Sequence, residues 1–559
     1  MKKVFYIGAI LMIAAIVILG FTLKNSSGRK SASKTPTGSG QVMVLREPAL
    51  TPEQKIEAIV AQAKRGATPN FNGIAGQTTT QEVEQEWNAS GTPTETEAGS
   101  YTTYPEQGVT IGVRDGIVFD VRYAGGNLKG IHYNDLKTTL GNPDKTKTYK
   151  DVTHDQIIWV YQVSSDYQLK WILQKPTDTA PNPVVDHIAV WTKVETKHEK
   201  LLSELTLDEK IGQLIIAGID GTTVNNASKE LIAHYKIGGV IFYSNNADTP
   251  DQTLKFVNSL KAVNQNNKLP LFTSIDQEGG RVARLPKQVA KLPRSATIGK
   301  KNDPDYALSI GQMLGKQLTQ FGFNMNFAPV LDVNSNPNNP VIGDRSFSAD
   351  PNVVSSLGIQ TMKGITEQHV IPVVKHFPGH GDTSVDSHLE LPKVNKTVKQ
   401  LEQLELIPFK KAIEADTDAI MVAHILLPQL DKTYPASMSA PIITDLLRKQ
   451  MGYNGLVMTD DMTMKAITNH YGIAQAAVQS VKAGSDVVLI AHDPANTIAV
   501  IDALKAAVES NKISEQQIDQ SVMRIIELKE KYKLDDEPTQ SVNVKQLNDE
   551  LHEVLNNHK

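Results

Sequence analysis

Cysteine is absent from all 559 residues. Its absence excludes disulfides, thiolate metal sites, a cysteine nucleophile and a lipid-bearing N-terminal cysteine. Net charge is nearly absent as well: 57 Lys and Arg face 61 Asp and Glu, too even a balance for a nucleic-acid partner held by a basic field. Aromatic residues are sparse at 6%, with four tryptophans in all. The one histidine pair at i, i+4, His376 and His380, encloses Phe-Pro-Gly and so has neither the helix nor the Glu of an HExxH zinc site.

What the chain has is length, enough for two to four domains, although a barrel can use well over 200 residues alone. Lys2 and Lys3 precede a nearly unbroken apolar run from Val4 to Leu23, about the length of a membrane-crossing helix and long for a signal peptide. With no small-x-small cleavage site directly after it, residues 1–24 read as an uncleaved anchor holding the rest of an exported chain outside the cell membrane. The alternative is a cleaved signal and secretion. Residues 25–50, rich in Ser, Gly, Thr and Lys, read as a flexible linker. Thr51-Pro52 opens a helix expected to run to about Lys64.

Residues 51–195 form an α+β accessory module with an internal repeat. TTTQEVEQEW (Thr78 to Trp87) and YNDLKTTLGNP (Tyr133 to Pro143) each read as a helix followed by strands of alternating apolar residues, which predicts antiparallel sheet with one face covered. Three of the four tryptophans fall on those strands and are expected to pack in the core. The module resembles the tandem-repeat, β-lactamase-inhibitor-like domains of exported Gram-positive proteins. Its role is open between binding cell wall or another protein, spacing, and autoregulation.

From residue 196 to 535 apolar strands alternate with helical stretches, opened by the capping box TLDE at Thr206 to Glu209. Eight strand runs end in polar residues, among them Asp276, Asp332, Lys375, His376, His424, Asp460 and His492. Eight such units over this length predict an α/β fold of the TIM-type (β/α)₈ barrel class with a polar rim at the strand ends. An open doubly wound sheet would also place polar residues there. Residues 536–559 read as a C-terminal tail.

The densest chemistry lies in KHFPGHGDTSVDSH (Lys375 to His388), which leaves the apolar run IPVV as a glycine-bearing loop. Its His and Asp residues suit zinc or iron as ligands, suit acid-base work, or simply order the loop.

With IDQEGGRVARL (Ile275 to Leu285), GDRSF (Gly343 to Phe347), this loop and LVMTDDMTMKA (Leu456 to Ala466) in order, the stretch from about Leu201 to Leu534 resembles the β-N-acetylglucosaminidase (NagZ-like) branch of glycoside hydrolase family 3. The resemblance implies a retaining, exo-acting enzyme that releases terminal non-reducing β-linked N-acetylglucosamine (GlcNAc) without metal or organic cofactor. It makes Asp460 the nucleophile, with Asp461 as competing candidate on the opposite side of the strand, and His388 the acid/base with Asp386 as dyad partner. Asp276, Arg284, Arg345, Lys375 and His376 would bind the sugar, with Arg345 alternatively bracing a loop, and His380 and Asp382 would order the catalytic loop. Expected substrates are peptidoglycan-derived saccharides or muropeptides containing N-acetylglucosamine linked to N-acetylmuramic acid (GlcNAc-MurNAc). Two other readings stand beside this one: phosphate as acceptor in place of water, and an anchored, non-catalytic glycan-binding protein. Closure of the 375–388 loop over the barrel mouth is the expected gating step. Some relatives carry a large second domain after the barrel, which is expected to be missing here.

Overall fold

The computed structural model describes residues 50–96 and 98–558. No described helix is long and apolar enough to cross a membrane; the apolar run from Val4 to Leu23 lies outside the described residues. The chain divides into two compact units, up to Lys197 and from His198 onward.

In the first unit Thr51 caps the helix Pro52–Ala63 through a reciprocal pair with Gln54. The helices Thr80–Trp87 and Tyr133–Leu140 each lead into four strands: β1 (Thr94–Thr96), β2 (Gly99–Tyr104), β3 (Val109–Arg114) and β4 (Ile117–Tyr123), then β5 (Lys145–Lys150), β6 (Asp155–Gln162), β7 (Tyr167–Gln174) and β8 (Val185–Thr192). The two meanders join through their last strands in one antiparallel sheet of order β1-β2-β3-β4-β8-β7-β6-β5. Ile56, Ile59, Val83 and Leu136 of the helices share a core with Ile111, Val121, Trp171, Ile188 and Val190 of the strands, so the helices cover one face. Trp159 and Trp171 are buried in that core. Trp191 is not: it alternates out to the opposite face, away from the described helices of this unit.

The second unit is a closed parallel barrel of β9 (Ile215–Gly218), β10 (Gly239–Phe242), β11 (Phe272–Ile275), β12 (Met325–Asn326), β13 (Ile371–Phe377), β14 (Ala419–Val422), β15 (Leu456–Asp461) and β16 (Val487–Ile490). Strand order follows chain order, with β16 returning to β9. All eight apolar runs of the sequence are barrel strands, and closure decides against an open sheet. The Thr206–Glu209 capping box is formed. Four surrounding helices start at Pro250, Pro304, Pro351 and Pro494 behind Thr249, Asp303, Asp350 and Asp493 caps, a pairing that satisfies free N–H groups where proline has none to leave.

Two segments differ from expectation. The stretch VKQLEQLELIPFKKAIEA, which reads as one helix in the sequence, breaks into Val398–Glu402 and Leu406–Glu414, and in the gap Glu405 is buried with its carboxylate on the Lys396 ammonium at 2.5 Å. Residues 544–557 are not a loose tail: the helix Val544–Asn557 buries Leu547 and Leu551, and Asn548 accepts from the Ala290 N–H and donates to the Gln288 carbonyl.

Candidate active site

The strand ends of β11, β13 and β15 and the loops that follow them surround a cavity of about 580 Å³. Asp276, Arg284, Arg345, Lys375, His376, Asp386, His388 and Asp460 all border it, so every site residue expected from the sequence is brought to one place.

At the end of β13 the buried Lys375 ammonium lies 2.5 Å from Asp276 Oδ1 and 2.8 Å from Glu278 Oε1. Glu278, itself buried, takes a two-pronged contact from Arg345, Nε at 2.8 Å and Nη2 at 2.7 Å, the fork geometry in which guanidinium and carboxylate match best. Burial alone would raise the Glu278 carboxyl, but Arg345 and Lys375 outweigh it and hold it well below the usual range. Burial likewise works against the charges of Lys375 and Arg345, and their carboxylate partners raise both pKa values nonetheless. Arg345 therefore borders the cavity while bracing the GDRSF loop. Glu278 was not singled out from the sequence. Its only signal is its place in DQEGGR, where two glycines suggest a loop and not a buried carboxylate.

His376 donates from Nδ1 to Asp332 Oδ2 at 2.6 Å. Asp332 is fully buried, and its Oδ1 accepts from the His380 backbone N–H at 2.6 Å. Burial opposes the Asp332 charge, and His376 and His380 overcome it, keeping the carboxyl below its ordinary pKa. One carboxylate thus orients the strand end and anchors the following loop. His380 is buried between Thr383 and Ser387; burial and the neighbouring His376 push its pKa down to about 4, so near neutral pH it orders the loop as an uncharged ring. Asp382 pairs with Lys396 at 2.7 Å.

The 375–388 loop is docked against the barrel mouth in this structure. Gly381 accepts from the Asn336 N–H and sits so close to the Val333 carbonyl that an added Cβ would lie 1.7 Å from that oxygen. Farther on, the Ser387 carbonyl accepts from the Ala466 N–H. The contacts come from segments tens of residues away in sequence, so the loop's composition alone suggested mobility. At its end Asp386 Oδ1 accepts from both His388 N and His388 Nδ1, each at 2.8 Å. Burial works against the Asp386 charge, yet the bonds from His388 lower its pKa. With Nδ1 so engaged, Nε2 is left to act, and the His388 side chain is 64% exposed.

Asp460 and Asp461 both border the cavity. The β15–β16 register shifts between Met458 and Asp461 at this strand end. What separates them is bonding. Asp461 accepts from Thr463 N and Oγ1 and from Ala491 N at 2.6–3.0 Å, which occupies both oxygens. Among the described residues Asp460 accepts one close bond, from the Asp461 N–H at 2.8 Å. Burial would raise the Asp460 carboxyl; His424, His376, the Asp461 N–H and Lys375 reverse this and hold it at about 2. His424, fully buried, donates from Nε2 to the Asp461 carbonyl at 2.9 Å and meets Ser437 Oγ at 2.7 Å. It lies beneath the strand end and does not border the cavity. Asp332 is likewise a support.

Tyr243 and His492, which also border the cavity, stack with ring centres 5.3 Å apart. Arg284 is held by its backbone N–H to Gln277 Oε1 at 2.8 Å, and its buried Nε finds no acceptor among the described residues. No group of three or more His, Asp or Glu among the described residues is arranged to hold a metal ion. The arrangement joins a free, ionised carboxylate, an oriented imidazole and a ring of charged donors and acceptors suited to hydroxyls.

Residues 206–528 match the family described as glycosyl hydrolase family 3 N terminal domain, and residues 56–191 match a domain of unknown function, DUF4309. The chain is 39% identical over 335 residues to beta-hexosaminidase A of Pseudoalteromonas piscicida, 56% of each chain being covered; it thus spans little more than half of that relative. It is 33% identical over 329 residues to a beta-hexosaminidase of Nitrosomonas eutropha, covering 57% of this chain and 93% of that one. Among solved structures, a glycoside hydrolase family 3 beta-N-acetylglucosaminidase from a Paenibacillus strain superposes with a TM-score of 0.60 at 39% identity, covering 63% of this chain and 68% of the other.

Proposed function

Since this chain belongs to glycoside hydrolase family 3, we propose that it is a β-N-acetylhexosaminidase: a retaining enzyme that removes terminal, non-reducing β-linked GlcNAc, and does so from GlcNAc-MurNAc fragments of peptidoglycan. The observation that carries this reading is the pairing, around one cavity, of the ionised and otherwise unoccupied Asp460 with the His388–Asp386 dyad. The names of the similar proteins point the same way.

In this reading Asp460 attacks the anomeric carbon and forms a glycosyl-aspartate, while His388 gives its Nε2 proton to the departing oxygen. The same nitrogen then takes a proton from the incoming water as the aspartate leaves. Asp386 keeps the proton on Nδ1 and stabilises the imidazolium that His388 is before the first step and becomes again after the second, the ring being neutral in between. Lys375, Asp276, Arg284, Arg345 and His376 hold the sugar, and the Glu278 and Asp332 carboxylates beneath them fix where those groups point. The apolar run from Val4 to Leu23 would anchor the enzyme with this site outside the membrane, where wall fragments are met.

Digestion of purified cell wall by the full chain, followed by mass spectrometry, tests the reading. Free GlcNAc and the corresponding shortened muropeptides are expected. Activity on simple β-GlcNAc glycosides with no release from wall fragments would overturn the substrate, and GlcNAc-1-phosphate formed in phosphate buffer would replace hydrolysis by phosphorolysis.

A further inference from the structure

The first unit carries a second cavity, about 660 Å³, on the sheet face that its helices leave uncovered. The strand registers lay out its floor in transverse rows. One row runs Arg122, Ala189, Lys170, Val160, Lys145 across β4, β8, β7, β6 and β5. Cations thus stand on every second strand, roughly 10 Å apart, with small or aliphatic side chains between them. The neighbouring row runs Tyr101, Gly112, Asp120, Trp191, Gln168, Gln162. At Gly112 a Cβ would lie 2.6 Å from the Tyr101 ring, so glycine is what lets that ring lie across the sheet.

The charges in this trough are not balanced internally. Arg122 and the Tyr101 hydroxyl converge on Asp120 Oδ2 at 3.0–3.1 Å, which neutralises Asp120. The lining includes Arg114, Lys145, Lys147 and Lys170 as further cations, with Lys193 paired to Glu195 at 2.9 Å, against Asp144 as the other lining carboxylate. Lys170 Nζ sits 5.1 Å from the centre of the Trp191 ring and donates no hydrogen bond to any atom of the described residues. The unit as a whole is more acidic than basic over residues 51–196, so the cations are gathered on this face and not spread evenly. An aromatic ring, a line of glutamine amides and spaced ammonium groups are the chemistry that binds a sugar chain bearing negative charges: rings pack on sugar faces, amides bond hydroxyls, and lysines meet acidic groups as point charges.

We propose that this trough is a binding site for an acidic glycan strand laid across β4 to β5, with Lys170 and Trp191 at its centre. Burial lowers the Lys170 pKa to about 8, Asp120 opposes this, and Arg122 and Lys147 add to it; an anionic group seated there relieves that repulsion. The site is separate in its residues from the barrel cavity, and its occupancy does not depend on which bond the barrel cleaves.

Titration calorimetry of the full chain with oligogalacturonate and with phosphomannan, sugar chains charged by carboxylate and by phosphate, tests the proposal. Saturable binding of at least one is expected, weakening as salt rises. Lys170→Gln and Trp191→Ala should each weaken it by about tenfold, the loss of one charge-assisted or stacking contact, while hydrolysis of an aryl β-GlcNAc by each variant stays unchanged. Lys145→Glu, at an exposed position of the edge strand, should weaken it without risk to folding. Binding of neither chain, binding unaffected by Lys170→Gln and Lys145→Glu, equal affinity for uncharged dextran, or equal affinity for poly-glutamate would each overturn the proposal.

Discussion

His388 and Asp386 share a closed pair of contacts: one carboxylate oxygen, Asp386 Oδ1, receives both the backbone N–H and the ring Nδ1–H of the residue two places on, each at 2.8 Å. The tautomer of His388 is therefore set by its own loop, and its Nε2 is the nitrogen available for proton transfer. His388→Ala should slow glycosides with poor leaving groups by roughly 10²–10⁴-fold, and activated aryl glycosides far less, because the latter need little protonation. Asp386→Asn, which removes the charge that supports the imidazolium, should show the same graded pattern. Steady-state rates over a series of aryl leaving groups check this; an equal loss across the series would remove His388 from the acid role.

Glu278 joins Arg345 and Lys375 beneath the sugar-binding groups. Replacing it by Gln leaves two buried cations short of a partner, and a loss of about 3–5 kcal/mol is expected in denaturant unfolding. The pH dependence has a definite sign. The Glu278 pKa is depressed by folding, so its contribution is complete above the unfolded value of about 4.3 and falls away as pH drops below it. The Lys375 pKa is raised, so its share is complete below about 10.4 and is lost only as pH rises through the folded value. Wild-type stability should therefore decline below about pH 4, and in Glu278→Gln that acid decline should be shallower.

Gly381 admits no side chain, because a Cβ would lie 1.7 Å from the Val333 carbonyl oxygen. Gly381→Ala should force the loop off its seat at a cost of about 1–3 kcal/mol. Since Asp386 and His388 ride on that loop, kcat should fall by at least tenfold with the barrel still folded, as read by kinetics beside a circular-dichroism melt. An alanine variant with unchanged kcat would show that docking at Gly381 does not matter to the chemistry.

Much of this site was legible in the sequence because the barrel repeats one device: an apolar run that ends in a charged or imidazole side chain. Asp276, Lys375, His376 and Asp460 all announce themselves in that way, and the DSH triplet carries its own short-range geometry. Glu278 and the depth of Asp332 and His424 were not legible, since whether a rim residue meets the cavity or supports one that does depends on side-chain packing between strands far apart in the chain. Alternation alone did not show that both Asp460 and Asp461 border the cavity, and the register shift in β15 beside them is a property of the strand pair that leaves no mark in either strand alone. In the first unit, the alternation that predicted a one-sided core also held the uncovered face, but grouping the three strand tryptophans as core residues hid Trp191. The near-zero net charge hid the cations gathered beside it for the same reason: a sum carries no position.

Asp460 is the residue proposed to bond to the sugar. The most direct test is reaction of the full chain with 5-fluoro-N-acetylglucosaminyl fluoride, which slows breakdown of a glycosyl-enzyme, followed by peptide mass spectrometry. A single N-acetylhexosaminyl adduct on Asp460 is predicted; an adduct on Asp461 instead, or turnover that inverts the anomeric centre with no adduct at all, would contradict it.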